Sequence, residues 1–236
     1  PHYWLNWVSF LPGIECYKTN KLAEKKKKLE NVFTSWKIAY ENLPNETGVI
    51  FLHLNKTDNL NQTLAIRDKM GILHHLDADK YEFMIQYRAK MLCQTLQELM
   101  AGGKSEESKQ MLDRLLTMLL AEYQLGYADN DHALMQNTGV YDSKPIHIDV
   151  GQFIKNNSVK NPKIYHRELF NKTYKFRKWL EKKYPELAQH LELRLQEIIG
   201  EDYLTMKPYF HQGDVAKIPH VDQELDCEED QTVCPE

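Results

Sequence analysis

The first third of the chain shows one helical and several strand-like hydrophobic patterns. Between residues 18 and 42, apolar side chains recur at helical spacing opposite a row of lysines, which predicts an amphipathic helix that ends before Pro44. Three runs rich in β-branched and aromatic residues follow and predict strands: "TGVIFLHLNKT", "TLAIRDKMGILHHLD" and "YEFMIQYRA". We expect these strands to form one small antiparallel sheet with the helix on one face. The predicted apolar stripe of the helix consists of Leu22, Leu29, Val32, Phe33, Trp36, Ile38 and Ala39.

Helical periodicity dominates after Arg88. The runs "MLCQTLQELMAGG" and "SEESKQMLDRLLTMLLAEYQLGY" predict two helices separated by Gly102 and Gly103, with Ser105 as the N-terminal cap of the second. Two later runs, "YHRELFNKTYKFRKWLEKKY" and "PELAQHLELRLQEIIG", predict two more helices, of which the second begins at Pro185.

A β-hairpin is predicted between these two helical regions. It covers residues 132–149, turns near residues 140–143, and ends in "HIDVG". The order of elements predicts an α+β fold, in which a mostly β part precedes a mostly α part. We assign residues 1–88 to the first part, residues 89–212 to the second, and residues 213–236 to an acidic, flexible tail.

Composition limits the classes of partner. The formal net charge of −4 provides no overall basic field, so we expect no nucleic acid as the main partner. No apolar run approaches the roughly 18 residues that span a bilayer, and we expect a cytoplasmic protein without a membrane span. Cys93 lies in a helical pattern and is expected to pack as a small hydrophobe. Cys227 and Cys234 flank the acidic tail, either as free thiols or as a disulfide that closes a small loop.

Several familiar catalytic motifs are incomplete or missing in the sequence. "GGKS" at residues 102–105 looks like the end of a phosphate-binding loop, but Glu98 stands where that loop needs its first glycine. There is no G-x-S-x-G, H-E-x-x-H or G-x-G-x-x-G sequence either, which removes the support for many hydrolase and dinucleotide-binding functions. His74 and His75 are neighbours in a predicted strand and point to opposite faces, which disfavours a shared metal ion.

Two aspartates remain as candidate chemistry. If the hairpin turns near residues 140–143, its two ends meet and Asp131 comes close to Asp149. Magnesium prefers oxygen ligands and usually takes only one or two protein carboxylates, so such a pair is a candidate magnesium site. The alternative is structural, because "ADND" is also typical of a loop and Asp149 of the cap of a short helix, "VGQFIKNN".

The order of elements and the strand "IHIDVG" resemble the protein-kinase-like superfamily, including its lipid-kinase and small-molecule-kinase branches. This resemblance implies a two-lobed fold, with a small antiparallel sheet and one helix followed by a mainly helical lobe that contains the hairpin. It implies that Asp149 is the metal-binding aspartate, in a triplet with Val150 in place of the usual Phe. Asp131 would then orient or deprotonate the acceptor hydroxyl, with Asp129 and Asn130 as alternatives.

The resemblance also implies roles for other residues. A second metal ligand is expected five residues after the catalytic aspartate, where Gln136 stands, with Asn137 one place later. Glu30, or alternatively Glu41, would pair with the strand lysine that holds ATP. That lysine and its Gly-rich loop are not visible in the sequence, and we expect the first strands of the small lobe to lie upstream of Pro1.

Two functions follow as expectations. The first is an atypical kinase-like domain that transfers a phosphoryl group from magnesium-bound ATP to an unknown hydroxyl acceptor, by positioning and charge neutralisation. The second is a non-catalytic pseudokinase or an unrelated interaction module, which binds a protein partner through an aromatic surface that includes Trp4, Trp7 and Phe10.

Overall fold

The computed structural model describes residues 14–208, with side chains described from residue 17 onward. This part of the chain has an α+β fold that is mainly helical and contains small antiparallel sheets. The predicted acidic tail, Cys227, Cys234 and the aromatic residues Trp4, Trp7 and Phe10 lie outside the described residues. Within residues 14–208, no helix combines the length and the apolar composition that crossing a membrane requires.

The predicted N-terminal helix is present as α1 (Ile14–Asn42). Pro44 follows its end and begins the one-turn helix α2 (Pro44–Thr47), because proline fits the first turn of a helix but not its interior. The predicted apolar stripe of α1 is not buried as one continuous face. Only Ile38 and Ala39 of that stripe are buried, whereas Leu22 and Leu29 are more than half exposed.

Four strands follow, β1 (Val49–His53), β2 (Thr63–Arg67), β3 (Leu73–Asp77) and β4 (Phe83–Gln86). Their pairing is antiparallel, but they form two ribbons, β1–β4 and β2–β3, and not one sheet. The run "TLAIRDKMGILHHLD" is therefore a hairpin and not one strand. Asp68 makes its turn by accepting hydrogen bonds from the main-chain nitrogens of Met70 at 2.8 Å and Ile72 at 3.0 Å.

The next region leads from the ribbons into a helical body. The short strand β5 (Lys90–Met91) precedes α3 (Leu92–Ala101) and α4 (Ser105–Leu125), which are separated by Gly102 and Gly103 as predicted. The predicted cap is wrong, because Lys104 occupies the capping position without a side-chain bond. The Ser105 hydroxyl instead donates to Glu186 at 2.9 Å. The strand β6 (Tyr127–Asp129) follows α4.

The predicted hairpin is shorter than expected. It consists of β7 (Thr138–Tyr141) and β8 (Lys144–His147), whereas residues 134–137 form the one-turn helix α5 (Leu134–Asn137). β7 lies between β5 and β8 in a three-stranded antiparallel sheet. The chain continues through β9 (Phe153–Lys155) and the two predicted helices, α6 (Pro162–Lys183) and α7 (Pro185–Ile199). Short 3-10 turns lie at Ala78–Lys80, Asn157–Lys160 and Gly200–Leu204.

The buried apolar side chains form two clusters. The larger one is built mainly from α3, α4, α6 and α7, and half-buried Cys93 packs against it. The smaller one joins α1 and β1 to β6 and β9, through Ile38, Val49, Tyr127 and Phe153 among others. A hydrogen bond of 2.8 Å from the Ser35 hydroxyl to the main-chain oxygen of Phe153 reinforces this contact. The boundary at residue 88 stays a prediction, but the N-terminal elements have their own anchor on the rest of the chain.

Candidate functional site

Two loops meet beside the strand pair β6–β9. These strands pair antiparallel, with Asp129 opposite Phe153, so the chain leaves β6 where it enters β9. Beyond the pair, the main-chain nitrogen of Asn130 donates to the main-chain oxygen of Gln152 at 3.1 Å. The segment that begins at Asn130 and the segment that ends at Gln152 therefore lie side by side, which brings the region of Asp131 towards the region of Asp149.

The hairpin brings Asn137 next to the segment that contains Asp149. Thr138 pairs with His147, and the main-chain nitrogen of Ile148 donates to the main-chain oxygen of Asn137 at 2.8 Å. At the far end, Asp142 and Ser143 make the turn with φ of 47° and 61°, the left-handed geometry of a tight two-residue hairpin. The register is thus set at both ends, and the backbone of Asn137 stays beside that of Ile148.

Asp149 is exposed at the end of the hairpin. One carboxylate oxygen, Oδ1, accepts a hydrogen bond from the main-chain nitrogen of Gly151 at 3.2 Å, so the carboxylate organises its own turn. The alternative of a short helix after Asp149 is wrong, because residues 153–155 form strand β9. An exposed carboxylate with only this modest bond keeps acceptor capacity for a ligand.

Asp131 is half-buried and also part of a turn. Its Oδ1 accepts from the main-chain nitrogen of Ala133 at 2.9 Å, while its own nitrogen donates to Asp129 Oδ1 at 2.9 Å. These bonds agree with the structural alternative for "ADND", since both aspartates organise the loop. Asp131 also lines a cavity of about 260 Å³ between this loop and α6, together with His132, Gln136, Lys172, Lys175 and Phe176.

A buried ion pair holds the start of this loop. Asp129 is the last residue of β6, and Lys172 of α6 donates from Nζ to its Oδ2 at 2.8 Å and to its main-chain oxygen at 3.1 Å. Both side chains are at most 2% exposed. Because an unpaired charge is costly in such a place, each residue depends on the other. Asp129, one of the alternatives for the catalytic aspartate, is thus engaged in a buried ion pair.

A second buried pair holds the strand that precedes Asp149. His147, the last residue of β8, lies with Nε2 2.7 Å from Glu122 Oε1 of α4, and both side chains are at most 1% exposed. His147 Nδ1 lies 3.7 Å from Asp129 Oδ2, too far for a hydrogen bond but close enough for electrostatic contact. The two pairs therefore form one buried polar row, from Glu122 through His147 and Asp129 to Lys172.

The sequence interpretation missed Glu122, Lys172 and His147 as structural residues of this region. A pattern that could have found two of them is a charged residue at a buried position of an amphipathic helix. Glu122 lies on the same face of α4 as Leu115 and Leu119, and Lys172 lies beside Leu169 on α6. Charged residues in such positions are rarely buried without a partner.

Glu46 of α2 lies near the same row. Burial raises the pKa of its carboxyl above the ordinary value, the nearby charge of Glu122 raises this pKa further, and His147 opposes the shift. Tyr123, the residue after Glu122, has a pKa raised well above the ordinary value, mainly because its hydroxyl is fully buried. Both shifts thus follow mainly from burial of the side chain, which is partial for Glu46 and nearly complete for Tyr123.

Glu30 is exposed on α1, and its carboxylate lies 3.7 Å from Lys26 of the same helix. The alternative, Glu41, is likewise exposed and lies 4.0 Å from Lys37. Both are surface pairs one helical turn apart, which contribute little to stability. The structure places neither of them in an ion pair with a strand lysine among the described residues.

Asp149 and Asn137, at the hairpin base, carry side-chain oxygen atoms, the type of ligand that magnesium prefers. Among residues 17–208, no group of three or more His, Cys, Asp or Glu side chains is placed to hold a metal ion. A magnesium ion needs fewer protein ligands, because phosphate and water complete its octahedron. The side-chain nitrogen of Asn137 is buried without a hydrogen-bond partner, but this atom is a donor, so only the amide oxygen could bind a metal ion. Gln136, the other predicted ligand, is exposed and lines the cavity beside Asp131.

The chain matches no protein-family model, no curated protein and no solved structure. Any function assigned to this region therefore rests on the residues and contacts above.

Proposed function

We propose that this protein is a divergent kinase-like phosphotransferase, which transfers a phosphoryl group from magnesium-bound ATP to a hydroxyl acceptor. The observation that supports this proposal is the junction of the two loops at the base of the hairpin. The hydrogen bonds Asn130 to Gln152 and Ile148 to Asn137 bring the segments of Asp131, Asn137 and Asp149 to one edge of the fold. Oxygen-bearing side chains on adjoining loops suit phosphoryl transfer, which depends on positioning and charge neutralisation.

Each residue has a role in this proposal. Asp149 would bind the metal ion through its exposed carboxylate, and the amide oxygen of Asn137 would be a second ligand. Bound magnesium would neutralise charge on the phosphate groups. Asp131 would accept a hydrogen bond from the acceptor hydroxyl, because it lines the cavity beside α6 in which an acceptor could lie. Lys175, which lines the same cavity, would add positive charge beside the transferred group.

The proposal includes a two-lobed arrangement. The small part would consist of α1 and the ribbon β1–β4, which pack on the rest through the smaller apolar cluster. The chain segment between β4 and β5 would be the hinge whose backbone contacts the adenine ring. Gly139 of β7 supports this assignment, because its position leaves only 2.6 Å between an added Cβ and the Cβ of Ala89 in that segment. The hinge segment and the hairpin are therefore in close contact.

A second candidate is a nucleotide-binding domain without transfer activity. The observation that favours it concerns Glu30. Among the described residues, Glu30 pairs with Lys26 of the same helix and not with a lysine that binds nucleotide phosphates. In this case Asp149 would still bind magnesium and nucleotide, but no acceptor would be phosphorylated. Binding and transfer must therefore be measured separately.

Binding of magnesium and ATP can be tested by thermal unfolding in the presence of ATP alone, magnesium alone, or both together. We expect magnesium and ATP together to raise the melting temperature of the wild-type protein, because a ligand that binds only the folded state stabilises it. Asp149→Asn should abolish the magnesium-dependent part of this rise in melting temperature. The asparagine side chain can still accept the hydrogen bond from Gly151, but it no longer carries the negative charge. Asp142→Asn, at the opposite end of the same hairpin, is the matched control and should behave as wild type. The absence of a magnesium-dependent shift in the wild type, or an equal shift in Asp149→Asn, contradicts the proposal.

Hydrolysis of ATP with water as the acceptor separates the two candidates. We expect slow phosphate release that Asp131→Asn and Asp149→Asn both reduce, whereas only Asp149→Asn weakens nucleotide binding. Binding without any phosphate release or self-phosphorylation in the wild type would favour the second candidate.

A further inference from the structure

Helix α1 extends beyond the body of the protein. From Thr19 to Asn31 every residue is exposed, and Ser35 is the first buried residue among the side chains described from residue 17 onward. At a rise of about 1.5 Å per residue, about 20 Å of helix extends beyond the packed core. A lone helix of this kind is marginally stable in water, so a role for its exposed surface is expected.

The exposed apolar residues of α1 form a line that points away from the body. The outer stripe consists of the exposed Leu22, Leu29 and Tyr40 and the half-buried Phe33. Leu29, Phe33 and Tyr40 follow Leu22 by 7, 11 and 18 residues, so at about 100° per residue all four fall on one side of the helix. Leu22 is 67% exposed, Leu29 52% and Tyr40 41%. The residues that anchor α1 to the body, Ser35, Ile38 and Ala39, are roughly 100° or more away around the helix. The body therefore leaves Leu22, Leu29 and Tyr40 largely uncovered and covers only part of Phe33.

Lysines border the outer stripe on both sides. Between residues 17 and 42 the chain has seven lysines and three glutamates, whereas the whole chain is net negative at −4. The glutamates lie within 4.0 Å of Lys21, Lys26 and Lys37. Among the described residues, Lys25, Lys27 and Lys28 have no carboxylate within this distance. The helix is thus basic on a protein that is otherwise acidic.

We propose that α1 lies on an anionic lipid surface, with the outer stripe in the headgroup region and the lysines next to lipid phosphates and carboxylates. Interfacial helices have this arrangement of one apolar line and a basic remainder, and their long lysine side chains extend from the apolar boundary to the charged headgroups. The excess positive charge of the helix is complementary to such a surface. This association is peripheral and independent of the proposed phosphoryl transfer.

Other partners fit the outer stripe less well. A helical partner needs apolar layers every three to four residues, but Lys25 and Lys26 occupy the layer between Leu22 and Leu29. A second copy of α1 would bring the run Lys25–Lys28 close to the same run or to other lysines, and like charges repel. A membrane surface requires neither a regular apolar seam nor a complementary groove.

Vesicle co-sedimentation of the full chain tests this proposal. We expect binding to vesicles that contain phosphatidylserine and none to vesicles of phosphatidylcholine alone, with binding that weakens as salt is raised. Lys25→Gln/Lys28→Gln should weaken binding by about fivefold for each lysine removed. Leu22→Ser/Leu29→Ser should weaken it by at least about tenfold, because two apolar side chains no longer enter the interface.

Matched controls use equivalent changes elsewhere. Ile66→Ser/Met70→Ser removes two exposed apolar side chains from the ribbon β2–β3, and Lys163→Gln/Lys182→Gln removes two exposed lysines from α6. Both controls should bind vesicles as the wild type does. The proposal is overturned if the wild type does not bind the anionic vesicles, or if the controls lose as much binding as the α1 variants. Two further results would overturn it: a dimer seen by light scattering, or binding of an acidic peptide. Either counts against the proposal if Leu22→Ser/Leu29→Ser abolishes it but leaves vesicle binding unchanged.

Discussion

Lys172 donates to Asp129 twice, to the carboxylate at 2.8 Å and to the main-chain oxygen at 3.1 Å. The bond to the main chain ties α6 to the backbone of β6, and the bond to the side chain neutralises a buried charge. The loop with Asp131 begins at the next residue. The position of the candidate catalytic loop thus depends on a lysine that lies more than 40 residues later in the sequence.

Removal of this lysine should destabilise the fold strongly. Lys172→Met leaves the buried carboxylate of Asp129 without its lysine, with only the bond from the Asp131 main-chain nitrogen, which we expect to lower the free energy of unfolding by about 3 to 5 kcal/mol. Lys182→Met, on an exposed position of the same helix, should change it by less than about 0.5 kcal/mol. Denaturant unfolding measures both. Adding Asp129→Asn to Lys172→Met should restore part of the lost free energy of unfolding. If the double variant instead loses as much as the two single variants added together, the pairing is contradicted.

The pair of Glu122 and His147 should show strong coupling in a double-mutant cycle. Glu122→Met removes the acceptor of His147, and His147→Leu removes the partner of Glu122, so each single change leaves a buried polar group unsatisfied at a cost of about 1 to 3 kcal/mol. The double variant leaves no unsatisfied partner. We expect its free energy of unfolding to differ from the additive value by about 0.5 to 3 kcal/mol in the favourable direction. Additive effects would show that the 2.7 Å contact contributes no mutual stabilisation.

Glu46 should make stability fall as pH rises. Its folded-state pKa is raised above the ordinary value of 4.5, mainly by burial, so the folded state binds the proton more tightly than the unfolded state. The stabilisation from the protonated carboxyl is therefore complete below the unfolded-state pKa and is lost as pH rises through the folded-state pKa. Glu46→Gln should be more stable than the wild type at neutral pH, and the difference should shrink towards pH 4.5.

The control for this effect is Glu41→Gln, because Glu41 is exposed on the adjacent helix. Thermal unfolding of the wild type and of both variants across the same pH range measures the effect. Glu46 also borders a cavity of about 600 Å³, lined in addition by Arg114, Lys144 and Pro145. A pH profile of Glu46→Gln parallel to that of the wild type would show that burial of this carboxyl does not change its proton affinity.

Gly139 should not tolerate a side chain. An added Cβ would lie 2.6 Å from the Cβ of Ala89 and 3.0 Å from Cγ2 of Ile148, so β7 and the segment before β5 would have to separate. We expect Gly139→Ala to lower the free energy of unfolding by about 1 to 3 kcal/mol through overpacking. Gly151→Ala is the matched control, since its Cβ would meet only the Asp149 carboxylate at 3.4 Å. Equal effects of the two substitutions in denaturant unfolding would be inconsistent with this contact.

The sequence predicted the helices well, because their apolar periods are long and are bounded by glycine or proline. It predicted α3, α4, α6 and α7, and the break between α3 and α4 at Gly102 and Gly103. The error in α1 has a physical reason, since a helix that extends beyond the core has no buried face along most of its length. The missed turn in "TLAIRDKMGILHHLD" depends on the bonds of one side chain, Asp68, which strand propensity does not describe.

For the candidate site, the sequence could identify aspartates near a hairpin but not which of them are buried. Asp129, Asp131 and Asp149 occur in similar turn-like sequences, yet the first is buried, the second half-buried and the third exposed. The difference comes from Lys172 and His147, which reach Asp129 from other elements. The helical pattern can mark Lys172 as a charged residue at a buried position, but no local pattern in the sequence shows that its partner is Asp129.

The strand pair β6–β9 closes the chain between residues 130 and 152 into a single loop with its own small hairpin inside. Such a closed base protects the ends of the segment, since local opening there first requires this strand pair to separate. Slow hydrogen exchange at Ala128 and Ile154 would then report on opening of this strand pair. A mutation that frays these two short strands would loosen the segments of Asp131 and Asp149 together, even though neither residue had been changed, while Asn137 would stay tied to Ile148 and to the sheet β5–β7–β8.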